Sequence, residues 1–228
     1  MNKKETIHSI GDYVEAVYPN FDVITFNCDS DVTFLDIKKL SNPDPHPDPK
    51  KERSLARIQK KSKKFGACCY KIKLFQPTRE NIEYLLEAIK HEAVIIYASY
   101  TEVTYDFISK EANKLASLIA RHFVVTKTHN PYYYNHKGTH YWERRKSNAS
   151  KMIPVLYADR LSKVAGKSCS HFELKLVGKS QCENNQLSTP KDFLQFDFIE
   201  FFVNNTRFYV PPSKTDQIGR ASCRERVY

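Results

Sequence analysis

At 228 residues the chain can bury a substantial core, and its apolar (41%) and aromatic (13%) shares exclude a disordered polymer. A net charge of +10 points to a polyanionic partner, nucleic acid first and an acidic membrane surface second. No run approaches the roughly 18 apolar residues of a membrane span. The opening MNKKETIHSIGDYVE has no apolar core behind its lysines, and the six cysteines form no CxxC pair. These features lead us to expect a cytoplasmic protein with reduced thiols, lacking a secretory signal, a disulfide framework and a zinc site.

In chain order, residues 1–41 hold two short apolar runs, FDVITF and DVTFLDI, that read as strands around a polar turn. Residues 42–66 form a Pro-rich and basic linker or arm. Its Pro-Asp repeats at 43–49 disfavour helix and central strand, and residues 50–64 carry eight Lys/Arg against one Glu. That basic run, with Lys60, Lys61, Lys63 and Lys64, reads either as a solvated loop or exposed helix, or as a mobile arm lying on phosphates.

Residues 67–210 read as the main domain. ACCYKIKLF (67–75) alternates as a strand, and Thr78 caps a helix through RENIEYLLEAIKHE with Ile82, Leu85, Leu86 and Ile89 on one face. A long strand from Val94 to Phe107 follows, then a helix capped by Ser109 with Leu115, Leu118 and Ile119 inward. THYWERR–KSNAS–KMIPVLY reads as a hairpin with Pro154 at an edge or bulge, SCSHFELKLVG as a strand ended by Gly178. Thr189 and Pro190 start one last helix, KDFLQFDFIEFFV. The order predicts an α+β fold: a mostly antiparallel sheet with helices packed on one face.

Residues 211–228 are set apart as a non-native or disordered tail. IGRASCRERV (218–227) resembles the in-frame translation of a common sequencing-library adapter, which would interrupt the native frame near Gln217. Leaving out Arg220, Arg224, Arg226 and Glu225 lowers the net charge by two, so the chain stays basic.

Two strands carry patterned polar groups. In TEVTYDF, alternation puts Glu102, Thr104 and Asp106 opposite Val103, Tyr105 and Phe107. In SHFELKL, His171, Glu173 and Lys175 lie opposite Phe172, Leu174 and Leu176. Polar outer faces of amphipathic strands are ordinary. If these two strands are neighbours, however, Glu102, Asp106, His171 and Glu173 converge into an oxygen-rich ligand set suited to Mg²⁺ or Mn²⁺. Tyr132–Tyr134 read as stacking platforms for bases or as packing. Tyr141 and Tyr157 flank the basic hairpin of Arg144, Arg145, Lys146 and Lys151, and share its face if 145 pairs with 151. A tyrosine hydroxyl can attack a phosphodiester when a metal polarises the phosphate.

The succession T-E-V-T-Y-D-F, then Y141-W-E-R-R, then Y157-A-D-R, then H171-F-E173 resembles the Rep_trans-type rolling-circle replication initiators of staphylococcal-type plasmids and filamentous phages. Their pattern is an E/D-x-x-x-D-F strand, a Y-x-G-x-R hairpin, a Y-x-K segment and an R-x-E strand, matched here over roughly residues 67–200. This chain departs from it with Glu143 for the glycine, His171 for the arginine and Y157-A-D-R for Y-x-K. The resemblance implies a nickase-like sheet domain with Glu102, Asp106 and Glu173 as metal ligands and Tyr157 as nucleophile. It also implies DNA at a single-stranded or cruciform origin as substrate and a host helicase as partner. Two other classes remain open: a non-enzymatic DNA-binding initiator or repressor, and an RNA-binding or capsid-associated basic protein of a small virus.

Overall fold

The structure, a computed structural model, describes residues 8–42, 56–60, 70–125, 132–143 and 151–208. The tail, the 43–55 and 61–66 parts of the arm, residues 67–69 at the start of the ACCYKIKLF run, and the KSNAS loop lie outside the described residues.

The fold is α+β. Eight strands form one antiparallel sheet in the order β2 (Arg57–Lys60), β3 (Tyr70–Phe75), β1 (Ala16–Cys28), β4 (Ile96–Ile108), β9 (Ser168–Val177), β8 (Lys151–Leu161), β7 (Thr139–Glu143), β6 (Tyr132–His136). β5 (Phe123–Val125) and β10 (Thr206–Phe208) pair separately. The helices are α1 (His8–Tyr13), α2 (Ile37–Leu40), α3 (Arg79–His91), α4 (Ala112–His122), α5 (Lys179–Asn184), α6 (Pro190–Leu194) and α7 (Phe198–Asn205). None of them is long and apolar enough to cross a membrane.

Alternation in each strand decides which face meets the helices. Ile24, Phe26, Ile72, Leu74, Val103, Tyr105, Leu156, Phe172, Leu174 and Leu176 are buried there. α3 contributes Ile82, Leu85 and Ile89, and α4 contributes Leu115, Ala116 and Ile119. An aromatic cluster joins the layers. Phe193 of α6 packs edge-on to Phe21 (5.1 Å) and Phe26 (5.5 Å), Phe202 of α7 to Tyr105 (4.7 Å), and Phe123 to Phe172 (4.9 Å) and Trp142 (4.9 Å). Burying a large aromatic side chain of this kind contributes about 2–3 kcal/mol.

Several local readings need correction. β1 lies inside the sheet, between β3 and β4, so the N-terminal segment is part of the same layer and not a unit beside it. DVTFLDI is not a strand. The Asp31 carboxylate accepts from Thr33 N, Leu35 N bonds Val32 O, and Asp36 accepts from Lys38 N to cap α2, so side-chain turns replace strand pairing. Within the basic arm, Arg57–Lys60 is neither loop nor helix but an edge strand on β3.

Ser109 does not cap α4 directly; its hydroxyl accepts from Glu111 N, and Glu111 holds the cap position. The last helix is two, because Asp197 accepts from both Ile199 N and Glu200 N and so restarts the helix as α7. The β6–β7 turn uses Lys137 (φ 50°) and Gly138 (φ 79°), the paired left-handed residues of a type I′ hairpin.

Candidate functional site

β4 and β9 are neighbours, with Asp106 opposite His171, Thr104 opposite Glu173 and Glu102 opposite Lys175. β8 flanks β9 and sets Tyr157 opposite His171. All these polar groups share the face away from the helices. Asp106, read from sequence as an outward residue, is 1% exposed, and His171 and Glu173 are also buried.

Their contacts form one network. His171 Nδ1 lies 2.5 Å from Asp106 Oδ1, and its Nε2 lies 3.0 Å from Glu173 Oε1 and 3.6 Å from Asp22 Oδ2. Lys175 Nζ donates to Glu173 Oε2 (2.9 Å) and lies 3.4 Å from Glu102, which also accepts from the Tyr100 hydroxyl. Lys163, in the β8–β9 turn, reaches Asp22 at 2.5 Å. The Tyr157 hydroxyl donates to Glu173 Oε2 at 3.3 Å, and the Arg160 guanidinium sits 4.1 Å from the Tyr157 ring centroid.

Charge is tuned by this crowding. Burial opposes ionisation of Asp106, yet its bond to His171 outweighs that and holds the carboxyl below its ordinary range. Burial likewise disfavours the charged His171, but Asp106 and Glu173 raise its pKa to about 9. For Glu173, His171 and Lys175 overcome burial and lower the pKa to about 2. Burial, then the Glu173 charge, push the Tyr157 phenol up to about 12, so it rests neutral. The Cys169 thiol is driven upward by burial and by Asp106, and rests protonated.

The cation-ligand geometry differs from the sequence expectation. Asp22, His171 and Glu173 each offer one donor atom, all within 4.8 Å of one another. Asp106 holds the far ring nitrogen of His171, the placement of a carboxylate that orients a metal-bound imidazole. Glu102 is separated from Glu173 by the Lys175 ammonium that contacts both. Asp22 was missed because it reads as part of an apolar strand. A register shift between Phe21 and Val23 against β4 adds an extra residue, and it turns Asp22 toward the open face.

The residues present fit a divalent cation. Two carboxylates and one imidazole match Mg²⁺ or Mn²⁺, and Asp22 Oδ1 and Asp106 Oδ2 are buried with no hydrogen-bond partner among the described residues. A ligand must displace the His171 Nε2 proton, so binding and deprotonation are coupled.

Of the remaining sequence candidates, Tyr141 pairs with Val155, shares the face of Tyr157, and stacks on Tyr134 at 4.8 Å. Thr139 pairs with Tyr157 and His140 with Leu156, while the 145–151 pairing read from sequence involves residue 145, which lies outside the described residues. Lys151 lies opposite Val177 on this same face. Lys60 does not: it lies over the Tyr70 ring (5.9 Å) on the helix side. Arg144, Arg145, Lys146, Lys61, Lys63 and Lys64 lie outside the described residues. No protein-family model matches the chain, and no curated protein matches it significantly.

Proposed function

We propose that the protein nicks one strand of DNA by metal-dependent tyrosine transesterification, as an initiator of rolling-circle replication does. The observation that supports this reading is the Tyr157 hydroxyl donating to Glu173, a member of the Asp22–His171–Glu173 cluster. A nucleophile and a cation-ligand set thereby share one carboxylate.

A divalent cation on Asp22, His171 and Glu173 would stabilise the charge developing on the phosphoryl oxygens. The chain's own groups do the rest. Glu173 Oε2 accepts from the phenol and orients its oxygen, the phenolic proton leaves to solvent water, and Arg160 beside the ring attracts the phosphate. The Tyr157 Oη–P bond forms as the P–O3′ bond breaks, and the departing 3′ oxygen takes up a proton. The products are a 5′-phosphotyrosyl protein and a free 3′-OH that primes synthesis.

The test is incubation with single-stranded oligonucleotides and Mn²⁺ followed by denaturing electrophoresis. The expected result is a covalent protein–DNA band that Tyr157→Phe abolishes and Tyr141→Phe retains. A band that survives Tyr157→Phe and disappears with Tyr141→Phe moves the nucleophile; persistence in the double variant rejects tyrosine chemistry here.

One observation favours a second reading, a non-enzymatic nucleic-acid-binding protein. Lys163, Lys175 and a protonated His171 already compensate the buried carboxylates, as a purely structural ion network would. That reading expects no band with any metal, and no rise in melting temperature on adding Mn²⁺.

A further inference from the structure

The open face continues beyond the carboxylate cluster to the β2 edge, and its chemistry changes on the way. Ile58, Ile72 and Leu74 take the helix side, so alternation leaves Arg57 and Gln59 of β2, and Lys71, Lys73 and Phe75 of β3, on the open side. The registers join Arg57 to Lys73, Lys73 to Thr25, and Thr25 to Tyr100, a cross-strand row that crosses the open face to Val177 and Lys151, with the Tyr100 hydroxyl donating to Glu102 beside the cluster.

At the edge, Arg57 and Lys73 bracket one ring: the guanidinium lies 5.4 Å and the ammonium 4.7 Å from the Phe75 centroid. Neither cation pairs with a carboxylate among the described residues, whereas Lys163 and Lys175 both do. Unneutralised cations around a partly exposed aromatic ring match a polyanion that also offers flat bases. A single strand presents such bases, and a duplex hides them in its stack. With strands about 4.8 Å apart, β3 lies about 19 Å from β8 across the sheet, and Tyr157 lies about 20 Å further along β8 than Lys151 at the end of that row, so a single strand engaged at Tyr157 reaches the cluster by running diagonally over the open face.

Resting on the nicking reading, we propose that Arg57, Lys73 and Phe75 at the β2–β3 edge dock the flank of the single DNA strand cut at Tyr157. Phe75 stacks on a base, and the two cations contact phosphates on either side.

Fluorescence anisotropy in EDTA tests this with a single strand of roughly 30 nucleotides, one of about 6, and a duplex of the longer sequence. Arg57→Ala/Lys73→Ala is expected to weaken the long single strand about tenfold and lower its log–log salt slope by about 1.4, two phosphate contacts' worth. Phe75→Leu is expected to weaken it at least about fivefold. Arg57→Lys/Lys73→Arg, which keeps the charge, retains binding and shows that the edge strand still folds.

Lys60→Ala is the control, since it removes one charge from the same strand on the opposite face. Equal losses from Lys60→Ala and Arg57→Ala would reduce the effect to net charge and overturn the proposal. So would wild-type affinity in the double variant, losses as large for the duplex, or a loss confined to the 6-nucleotide strand. These arms contain no metal and no cleavage. Failure of the Tyr157 adduct therefore sinks the nicking reading, and failure of the face-specific loss sinks the docking edge.

Discussion

Strand β9 shows two kinds of interior on one backbone. Its even-numbered residues, Phe172, Leu174 and Leu176, are buried against helices and aromatic rings; its odd-numbered residues, His171 and Glu173, are buried among charges. Burial on the first side is favourable in itself and roughly proportional to area. On the second side burial opposes every charge, and the network persists because each ionised group has an opposite partner within 4 Å. Among the described residues one carboxylate oxygen of Asp22 and one of Asp106 are buried without a hydrogen-bond partner. The apolar side therefore carries the fold. The charged side is held in a costly arrangement.

The largest effect should come from the apolar side. Phe172→Ala removes the ring that packs on Phe123 (4.9 Å) and Phe202 (6.1 Å), and should cost about 3–5 kcal/mol in urea unfolding. A loss below about 1 kcal/mol would show that this layer is loosely packed and would weaken the contrast.

Next comes the charged side. Asp106→Asn deprives the His171 imidazolium of its closest partner and should cost roughly 3 kcal/mol. It should also weaken Mn²⁺ binding about 10–100-fold, as loss of a carboxylate behind a ligating imidazole does, measured by calorimetry. Stability lost without any change in metal affinity would assign Asp106 to the fold alone.

A pH series separates the two sides, since only one of them titrates. His171 binds its proton more tightly folded than unfolded. Its contribution is complete below about 6.5 and fades as pH rises through about 9. Glu173 behaves oppositely: its contribution is complete above about 4.5 and fades as pH falls through about 2. In metal-free buffer the melting temperature should therefore plateau between these limits and decline on both sides, with His171→Gln flattening the alkaline decline. An unchanged alkaline decline in that variant would assign it to other groups.

The smallest effect calibrates the comparison. Arg79 and Glu83 on α3 pair at 2.7 Å, as closely as Lys175 and Glu173, but in water. Arg79→Ala should cost no more than about 0.5 kcal/mol by thermal melting. A cost approaching that of Asp106→Asn would mean that distance, not burial, governs these pairs.

What the sequence determined by itself was periodicity. TEVTYDF and SHFELKL each announce one apolar and one polar face, because side chains alternate along any strand whatever its neighbours. The Thr78 cap and the amphipathic α3 were legible for the same local reason, and so was the α+β class with helices on one face. Tertiary structure decided what local pattern does not encode. β1 enters the centre of the sheet, and its irregular register turns Asp22 out of an apolar run to join His171 and Glu173. Asp197 restarts a helix that periodicity alone runs straight through. The same pairing set Lys175 between Glu102 and Glu173, and put Lys60 and Arg57 on opposite sides of one short strand. Strand adjacency and register depend on contacts between residues tens of positions apart. A side chain's partner is therefore fixed by closure of the whole sheet, while its face is fixed by its immediate neighbours.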